Sequence, residues 1–527
     1  MPGFLENHER NVIPRWRDFW STVELGELTV ELPPGGMAHP AHDITSVKFD
    51  WEQNRSISFA GDLISAALVS GNIAAAKEAS EFIVSLDERP PAQLKALAHR
   101  VLSGKSEPPR APVAPVGPSS GPEFRRSAEI SSARRSLRRY PSDAILWMDL
   151  AYLYAVRGIS HKASSSARIA LNLAPSNRFI VRSAARFLLH IDRLDMALDI
   201  IRRSPGYTRD PWLVAAEIAV SLSAKRTPWS TREAFSLLNR GNFGEHHLSE
   251  LSSALGTLEF NAGNSSKAKK LIRRSLIKPN DNSLAQAKWI SSDLWGANSP
   301  EISTVDTFQI ARPYEAGSFE AFEQNDWQKS YRCSLLWLDD QPFSAWPARM
   351  AASLAANIFD DLETCERLAK LGLVTSPDDP ALLINLAYSY ACTGRSELAL
   401  SQLSRIRPAN SEDWVAAGIE ANYGLVAFRG GNIEAGRKHY AEAVSKAEVV
   451  ADKRVKLFAL AHWALEEAEL QDSNSENLFT EALQTAKQAL GFDIPFRLAK
   501  FAEKISLKSN HRFDLTKILD TIRSSYP

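Results

Sequence analysis

The hydrophobic positions between Asp143 and Asn177 repeat with the spacing of two helices joined by a short turn. Apolar residues lie three or four apart in the first half of this stretch, and small residues recur at a similar spacing in the second half. These positions are Trp147, Leu150, Ala151 and Tyr154, followed by Ala163, Ala167 and Ala170. Gly158 marks a turn between the halves, and Pro175 marks the end of the second half. The pattern therefore predicts a helical hairpin.

Similar pairs of apolar stretches recur along most of the chain. They lie at 57–86, 181–201, 255–275, 383–403 and 424–443. Glycine-containing turns separate the two halves of most pairs, as in Gly263-Asn264 and Thr393-Gly394. The alternation typical of strands is not sustained beyond short pieces such as 29–32. We therefore predict helix pairs almost throughout.

Proline and a capping side chain precede several of the predicted helices. The sequences are Pro141-Ser142-Asp143, Pro175-Ser176-Asn177 and Pro377-Asp378-Asp379-Pro380. Proline ends one helix, and the Ser, Asp or Asn oxygen accepts hydrogen bonds from free N–H groups of the next. These segments are therefore predicted helix boundaries.

The motif W-x2-L-A-x2-Y, a turn, A-x3-A-x2-A and a closing proline resembles the tetratricopeptide repeat (TPR), a 34-residue helix–turn–helix unit. The resemblance covers about two thirds of the chain, and it is most specific over residues 144–177. Such a unit cannot bury its apolar face alone and must stack on similar neighbours. The resemblance implies an all-α, TPR-like α-solenoid with two helical-hairpin arrays separated by an irregular insertion.

We expect five sections along the chain. They are a helical N-terminal region at 1–104 with at least one TPR-like hairpin, a Pro/Gly/Ser linker at 105–122, a basic TPR array at 123–290, an irregular insertion at 291–318, and a TPR array at 319–527 that is acidic at its start. The linker prediction rests on composition, since a segment rich in Pro, Gly and Ser favours an extended chain.

The resemblance also implies which side chains face a ligand, because the first helix of each repeat lines the concave groove in this family. It places Arg182 and Arg186 in the groove, and the repeat at 144 carries Met148 and Tyr152 at the equivalent positions. Relatives that clamp a peptide's terminal carboxylate use Lys, Arg and Asn there, so Met148 and Tyr152 depart from that set. An acidic peptide near Arg182 and Arg186 fits the sequence better than such a clamp, and Tyr388 is a further groove candidate in the second array.

Composition places the chain among ordinary globular proteins. The 527 residues are 44% hydrophobic and 24% charged, and the three cysteines do not form a disulfide framework. The N-terminus lacks the pattern of a signal peptide, and no uncharged apolar stretch reaches the ~18 residues of a membrane span. We expect a cytoplasmic protein with no membrane association.

Charge is balanced over the whole chain but not locally. Residues 105–300 hold 29 Lys+Arg and 16 Asp+Glu, a balance of +13, and residues 301–400 hold 7 and 15, a balance of −8. The densest basic run places four arginines at i,i+4 spacing on one side of a predicted helix. They are Arg134, Arg135, Arg138 and Arg139. Their partner is an acidic protein segment or the chain's own carboxylates, with nucleic acid less favoured, and self-association between basic and acidic sections is an open alternative.

No motif indicates catalysis, a metal or a cofactor. Cys333, Cys365 and Cys392 fall in helical patterns, where a thiol fills space. His39, His42 and Asp43 lack a completing ligand cluster. Arg240 and His246 have the spacing of a helical ribonuclease motif but lie in a turn-like stretch. The predicted function is a non-enzymatic scaffold or adaptor that binds a protein through its groove and basic first array. The alternative is a sensing or regulatory subunit of a multiprotein system, such as a bacterial, nucleic-acid-associated one, whose partner is the enzyme.

Overall fold

The computed structural model describes residues 10–19, 44–104 and 122–508, apart from gaps at 54, 56, 71, 87–89, 91, 240–242, 296–309, 408–412, 451 and 490–492. These residues contain helices and no β-strand, which confirms the predicted all-α class. The chain folds as two compact units. The N-terminal unit comprises Arg10–Ala316, and the C-terminal unit includes Gly317–Pro527.

Successive antiparallel helices form the N-terminal unit. They are α1 Ile44–Gln53, α2 Ile57–Ser70, α3 Ile73–Ser85, α4 Ala92–Ser103, α5 Pro122–Arg139, α6 Ala144–Val156, α7 Ser160–Leu173, α8 Arg178–His190, α9 Leu194–Arg203, α10 Pro211–Ser223, α11 Thr231–Asn239, α12 Glu245–Asn261, α13 Ser265–Ser275 and α14 Asp281–Trp295. The pairs α6/α7, α8/α9 and α12/α13 pack as hairpins, as predicted. The first helices of neighbouring pairs also contact one another, from α6 through α8, α10 and α12 to α14.

The C-terminal unit repeats this arrangement. Its helices are α16 Trp327–Asp340, α17 Ala345–Asn357, α18 Leu362–Thr375, α19 Pro380–Cys392, α20 Ser396–Leu403, α21 Asp413–Arg429, α22 Ile433–Glu448, α23 Arg454–Glu469, α24 Asn474–Ala486 and α25 Ile494–Lys508, preceded by α15 Tyr314–Glu323. Hairpins form from α17/α18 to α23/α24, and the first helices α17, α19, α21 and α23 contact in series, followed by α25. The TPR-like stacking of helical hairpins is therefore confirmed.

Two of the predicted sections lie partly outside the described residues. The linker 105–122 is one of them, since only Pro122, the first residue of α5, is described. The irregular insertion predicted at 291–318 is too long at both ends, because α14 continues to Trp295 and α15 begins at Tyr314. The predicted helix pair at 57–86 is confirmed as α2 and α3.

Capping side chains begin the helices where the sequence predicts them. Asp143 Oδ1 accepts a hydrogen bond from Leu146 N at 3.0 Å, and Asn177 and Asp379 make the same bond at the starts of α8 and α19. Each bond satisfies one of the N–H groups that a helix start leaves free. Gly158 adopts φ +68° after α6, a left-handed conformation that glycine tolerates.

Small residues occupy the helix crossings. Ala151 and Ala167 are buried between α6 and α7. A Cβ added at Gly256 of α12 would lie 2.7 Å from Ile272 Cδ1 of α13, so only glycine fits that crossing. These close approaches fix the hairpins and leave the first helices to line one face of each unit.

Candidate functional site

An extended segment of the chain lies along the first helices of the N-terminal unit. Residues 10–19, RNVIPRWRDF, contact α6, α8, α10, α14 and the start of α15. Residues 10–18 are not helical, and the side chains of Val12, Trp16 and Phe19 are at most 1% exposed. We call this element the N-terminal segment. It belongs to the section 1–104, which the sequence analysis predicted to be helical, and its extended conformation departs from that prediction.

Carboxylates of the unit pair with the arginines of the N-terminal segment. Arg10 Nε lies 2.9 Å from Glu315 Oε1, Arg15 Nη2 lies 2.5 Å from Glu315 Oε2, and Arg17 Nη2 lies 2.6 Å from Asp281 Oδ2. These side chains are nearly inaccessible to solvent, where a charge is stable only when it is paired. The occupied part of this groove therefore attracts positive charge.

The predicted groove arginine Arg182 already has a carboxylate partner within the unit. Arg182 Nη2 donates to Glu250 Oε2 at 2.8 Å, and its guanidinium lies 4.5 Å from the Trp212 ring centroid. Burial beside Arg15 lowers the pKa of Arg186 to about 10, although Glu315 acts in the opposite sense. The segment that lies beside Arg186 is basic, whereas the sequence analysis expected an acidic peptide near this arginine.

The other groove candidates of the N-terminal unit have different surroundings. Met148 is fully buried, so it packs in the interior. The Tyr152 ring contacts Trp16 edge-to-face, with ring centroids 5.4 Å apart. Burial and the neighbouring Asp18 raise the pKa of Asp149 well above its usual value, although Asp149 Oδ1 accepts a hydrogen bond from Phe19 N at 2.9 Å.

The four arginines of the basic run are exposed on α5. Arg134, Arg135, Arg138 and Arg139 alternate with the buried residues Ile130, Ala133 and Leu137. None of the four forms an ion pair with another side chain that the structure describes. They present a row of guanidinium groups to solvent.

The C-terminal unit contains a pocket of about 640 Å³, including the space at its open mouth. The first helices α17, α19, α21 and α23 line it together with α25. Its walls are mainly apolar and aromatic, with a few polar groups. The lining residues used below are Asn385, Tyr388, Trp414, Asn422, Phe458, His462 and Arg497, and we call this site the amide pocket. The structure thus places the predicted groove residue Tyr388 in it.

Two asparagines of the amide pocket have buried polar atoms without hydrogen-bond partners among the described residues. They are Asn385 Nδ2 on α19 and Asn422 Oδ1 on α21. Asn422 Nδ2 donates to Gly418 O at 2.8 Å, which directs this amide along its own helix. The asparagines are 2% and 7% exposed, so solvent reaches them only through the pocket. Sequence analysis missed both, although each lies two residues before the small residue of its hairpin, Ala387 or Gly424.

The charges around the amide pocket compensate one another. Arg497 donates to Asp493 Oδ2 at 3.2 Å and to Asn357 Oδ1 at 3.1 Å, and its guanidinium stacks on Phe458 at 3.4 Å from the ring centroid. Burial, aided by Arg497, lowers the pKa of His462 to about 3, so His462 is neutral at pH 7. Burial also raises the pKa of Tyr388 well above its usual value. The pocket can therefore donate and accept hydrogen bonds without carrying a net charge.

Burial disfavours the reactive form of two of the three cysteines. Burial raises the pKa of Cys365 to about 12 and that of Cys392 to about 11, which disfavours the nucleophilic thiolate. No group of three or more His, Cys, Asp or Glu side chains suited to a metal occurs where the structure describes the chain. His39, His42, Asp43 and Arg240 lie outside the described residues, and His246 packs edge-to-face against Trp212.

Within the described part of the chain, every helix is too short or too polar to cross a membrane.

Comparisons with known proteins find only distant similarity, to solved structures. No protein-family model and no curated protein matches it. It is similar to the structure titled APC/C hetero-tetramer Cut9-Hcn1 at 11% identity and a TM-score of 0.42, over 92% of this chain and 93% of that one. Yeast Tom70 is similar at 15% identity and 0.30, over 73% and 93%. A human IFIT1 dimer with PPP-AAAA is similar at 12% identity and 0.30, over 92% and 97%.

Likeness at these TM-scores carries no statement about partner or activity. The fold assignment rests on the chain's own helices, caps and crossings. In the residues that the structure describes, this chain is an all-α protein built from stacked helical hairpins.

Proposed function

We propose that this chain is a non-enzymatic helical-repeat adaptor whose C-terminal unit holds an extended segment of a protein partner in the amide pocket. The observation that carries the proposal is the pair of buried amide atoms, Asn385 Nδ2 and Asn422 Oδ1, which line one pocket without partners among the described residues. Neighbouring first helices present them, so a ligand lying across those helices reaches both.

The two amide atoms favour a peptide main chain as the ligand. A buried polar group without a hydrogen bond destabilises a protein by about 1–3 kcal/mol, and a ligand that supplies the bond removes this penalty. Asn385 Nδ2 needs an acceptor and Asn422 Oδ1 needs a donor. A peptide carries one C=O and one N–H per residue, so it meets both needs with any side chains. The aromatic rings of Trp414 and Phe458 complete the mostly apolar lining typical of a ligand site.

Charge does not select the ligand of the amide pocket. Arg497 is paired with Asp493, and His462 is neutral at pH 7. We therefore expect binding at this pocket to change little between low and physiological salt, because screening acts on exposed charges.

A peptide-display selection against the full-length chain tests this function. We expect the selected peptides to lose at least about 10-fold in affinity for Asn385→Leu and for Asn422→Leu, because one hydrogen bond in a dry site contributes about 1.5 kcal/mol. Both variants should be as stable as wild type or more stable, since leucine removes a buried unsatisfied group at similar volume. Gln484→Leu, on the exposed face of α24, is the matched control.

The combination of weaker binding and retained stability separates a ligand site from a structural one. Variants that unfold at lower temperature would assign the asparagines to the fold. Peptides that bind wild type and both variants equally would place the ligand elsewhere and refute the proposal.

The exposed arginine row on α5 supports a second binding surface, for an acidic partner. Like charges at i,i+4 spacing destabilise an isolated helix, and a bound carboxylate or phosphate surface would neutralise them. The sequence analysis assigned an acidic partner either to this row or to the groove, and the pairing of Arg182 with Glu250 favours the row.

Charge reversal tests the arginine row. Arg135→Glu with Arg139→Glu should abolish binding of an acidic partner, and wild-type binding should weaken as salt rises. Arg168→Glu, exposed on α7, is the control. Equal competition by an acidic peptide and by single-stranded RNA would indicate a general polyanion surface, and binding that is unaffected by both reversal and salt would exclude the row.

A further inference from the structure

The N-terminal segment lies extended in the groove of its unit, in the way that a peptide ligand would. We infer that the groove of the N-terminal unit is a receptor for an extended segment containing arginine and tryptophan, and that residues 10–19 occupy it in cis. A partner segment of the same chemistry binds by displacing them. This site lies on a different unit from the amide pocket and does not depend on the function proposed for that pocket.

Side chains of the groove form hydrogen bonds with the main chain of the segment. Gln286 Nε2 donates to Arg10 O at 2.9 Å, and Asn282 Nδ2 donates to Ile13 O at 3.0 Å. Asp149 Oδ1 accepts from Phe19 N at 2.9 Å. The segment thus makes its main-chain hydrogen bonds with side chains of the groove at both ends. Main-chain bonds of this kind give affinity for any extended peptide, whereas side-chain contacts supply specificity.

Arginine is selected by carboxylates and amides together. Arg10 donates to Glu315, to Gln286 Oε1 at 2.7 Å and to Asn282 Oδ1 at 2.9 Å. All three nitrogens of its guanidinium group therefore donate hydrogen bonds. Asp281 lies within 2.9 Å of both Arg15 and Arg17. Lysine cannot reproduce this multiple planar bonding. A competing segment therefore needs arginines at equivalent spacing.

Tryptophan is selected by an aromatic contact at the centre of the segment. Trp16 is fully buried between Tyr152 of α6 and Phe187 of α8, with ring centroids 5.4 and 5.7 Å away. Both contacts are edge-to-face, a favourable aromatic geometry. Phe19 makes a similar contact with Phe179 at 5.5 Å. A buried tryptophan flanked by paired arginines is the arrangement that dominates affinity at protein interfaces.

Occupation in cis lowers the apparent affinity for a partner. A tethered segment competes at an effective concentration on the order of mM. A partner peptide with an intrinsic Kd of about 1 μM is then weakened about 1000-fold in the wild-type chain. Weakening the cis contacts should reveal the site.

The test measures binding of a labelled synthetic peptide, RNVIPRWRDF, to full-length chains. Wild type should bind it weakly, and the double variant Trp16→Ala/Arg17→Ala should bind it at least about 100-fold more tightly. The same peptide with both alanines should not bind either chain. Adding Asp281→Asn to the double variant should reduce peptide binding at least about 10-fold, whereas adding Asp199→Asn, an exposed carboxylate on α9, should not. A folded double variant that binds the peptide no better than wild type overturns the inference.

A second measurement covers a double variant that fails to fold. A protease recognition sequence inserted between residues 21 and 43 of the otherwise wild-type chain allows the N-terminal segment to be cut free. After cleavage, excess synthetic peptide should displace the released fragment, as seen by gel filtration and mass spectrometry. A fragment that stays with the chain despite an excess of peptide of about 1000-fold is a permanent part of the core, and the inference then fails.

Discussion

At the scale of single residues, Asp143 combines a structural role with an unfavourable charge. Its Oδ1 caps α6, but its Oδ2 is buried without a hydrogen-bond partner among the described residues. Burial raises the pKa of Asp143 from 3.8 to about 6, even though the N–H groups at the start of α6 act in the opposite sense. The native state therefore holds this proton more tightly than the unfolded state does.

The raised pKa of Asp143 fixes the sign of a pH effect. Its contribution to stability is present below pH 3.8 and is lost as pH rises through about 6. An asparagine at this position would cap equally well without ionising, so we expect Asp143→Asn to raise the free energy of unfolding at pH 8 by about 1–3 kcal/mol. Urea unfolding at pH 8 and at pH 4 measures the difference. A variant equally stabilised at both pH values would show that ionisation is not the cause.

His462 gives the opposite pH dependence. Its pKa is lowered from 6.5 to about 3 in the folded chain, so its contribution to stability is present above pH 6.5 and is lost as pH falls towards 3. We expect wild type to lose about 2–3 kcal/mol from this group between pH 6.5 and pH 4.5. His462→Gln should lose less over the same interval, as measured by thermal melting at each pH. Equal losses in the two proteins would mean that His462 is protonated in the folded state.

Residue positions were easier to predict than residue partners. Helical periodicity placed Arg182 and Arg186 on a first helix, but the partner of Arg182 is Glu250, which lies 68 residues later. Such a pairing depends on how hairpins stack, and local spacing contains no information about it. The sequence therefore could not show whether the groove attracts a positively or a negatively charged segment. Asn385 and Asn422 were missed because a polar residue in an apolar stretch does not show whether it finds a partner.

At the scale of elements, helices α21 and α22 cross with two glycines and two aromatic rings. A Cβ added at Gly424 would lie 2.6 Å from Tyr440, and one added at Gly436 would lie 2.4 Å from Phe428. Each ring fills the space that the opposite glycine leaves. Because both neighbours are rigid rings, a methyl group can be accommodated only by moving the helices apart.

We expect Gly436→Ala to destabilise the chain by about 1–3 kcal/mol, because overpacking outweighs the roughly 1 kcal/mol by which alanine favours helix. Gly317→Ala is the matched control, since the nearest neighbour of its added Cβ is Cys333 Sγ at 3.3 Å. Calorimetry should show a lower melting temperature for the first variant and an unchanged or higher one for the second. A stabilised Gly436→Ala would mean that α21 and α22 cross less closely.

The elements were largely predictable because their signals are local. Caps such as Asp143 and Asp379 and the left-handed turn at Gly158 lie within a few residues of the boundaries they set. The N-terminal segment has no such signal. Its extended conformation is defined by Asp281 and Glu315, which are more than 250 residues away in sequence. Periodicity therefore predicts the helices, and the family resemblance implies the groove, but neither predicts the segment that fills it.

At the scale of the whole molecule, the local charge balance gave the excess of basic residues in a section but did not show which of them are exposed. Several basic residues of the section 105–300 are buried in ion pairs with carboxylates of the same section, so these pairs add nothing to its +13 balance. Arg178 pairs with Asp210, Arg182 with Glu250 and Arg202 with Glu217. Part of the exposed excess lies on α5, and further exposed basic side chains such as Lys270 and Arg273 lie on α13. A section's net charge therefore gives the size of its basic excess but does not locate that excess on the surface.

The N-terminal unit includes residues 310–316, which come after α14 and the segment 296–309 in sequence. Leu284 and Ala285 of α14 pack against Ile310 and Ala316, and Glu315 pairs with Arg10 and Arg15. A chain that ends at Trp295 lacks these contacts, whereas a chain that ends at Gln324 keeps them. The two truncations therefore differ by the carboxylate that anchors the N-terminal segment.

We expect the chain ending at Trp295 to hold the N-terminal segment less firmly than the chain ending at Gln324. Leaving buried arginines without a carboxylate costs about 3 kcal/mol or more, which corresponds to about 100-fold faster amide exchange at Phe19. Hydrogen exchange with mass spectrometry measures this rate. Glu315→Gln in the full-length chain separates charge from packing: fast exchange in this variant assigns the anchor to the carboxylate, and wild-type exchange assigns it to Ile310 and Ala316. Wild-type protection in both truncated chains would show that Asp281, Asn282 and Gln286 hold the segment alone.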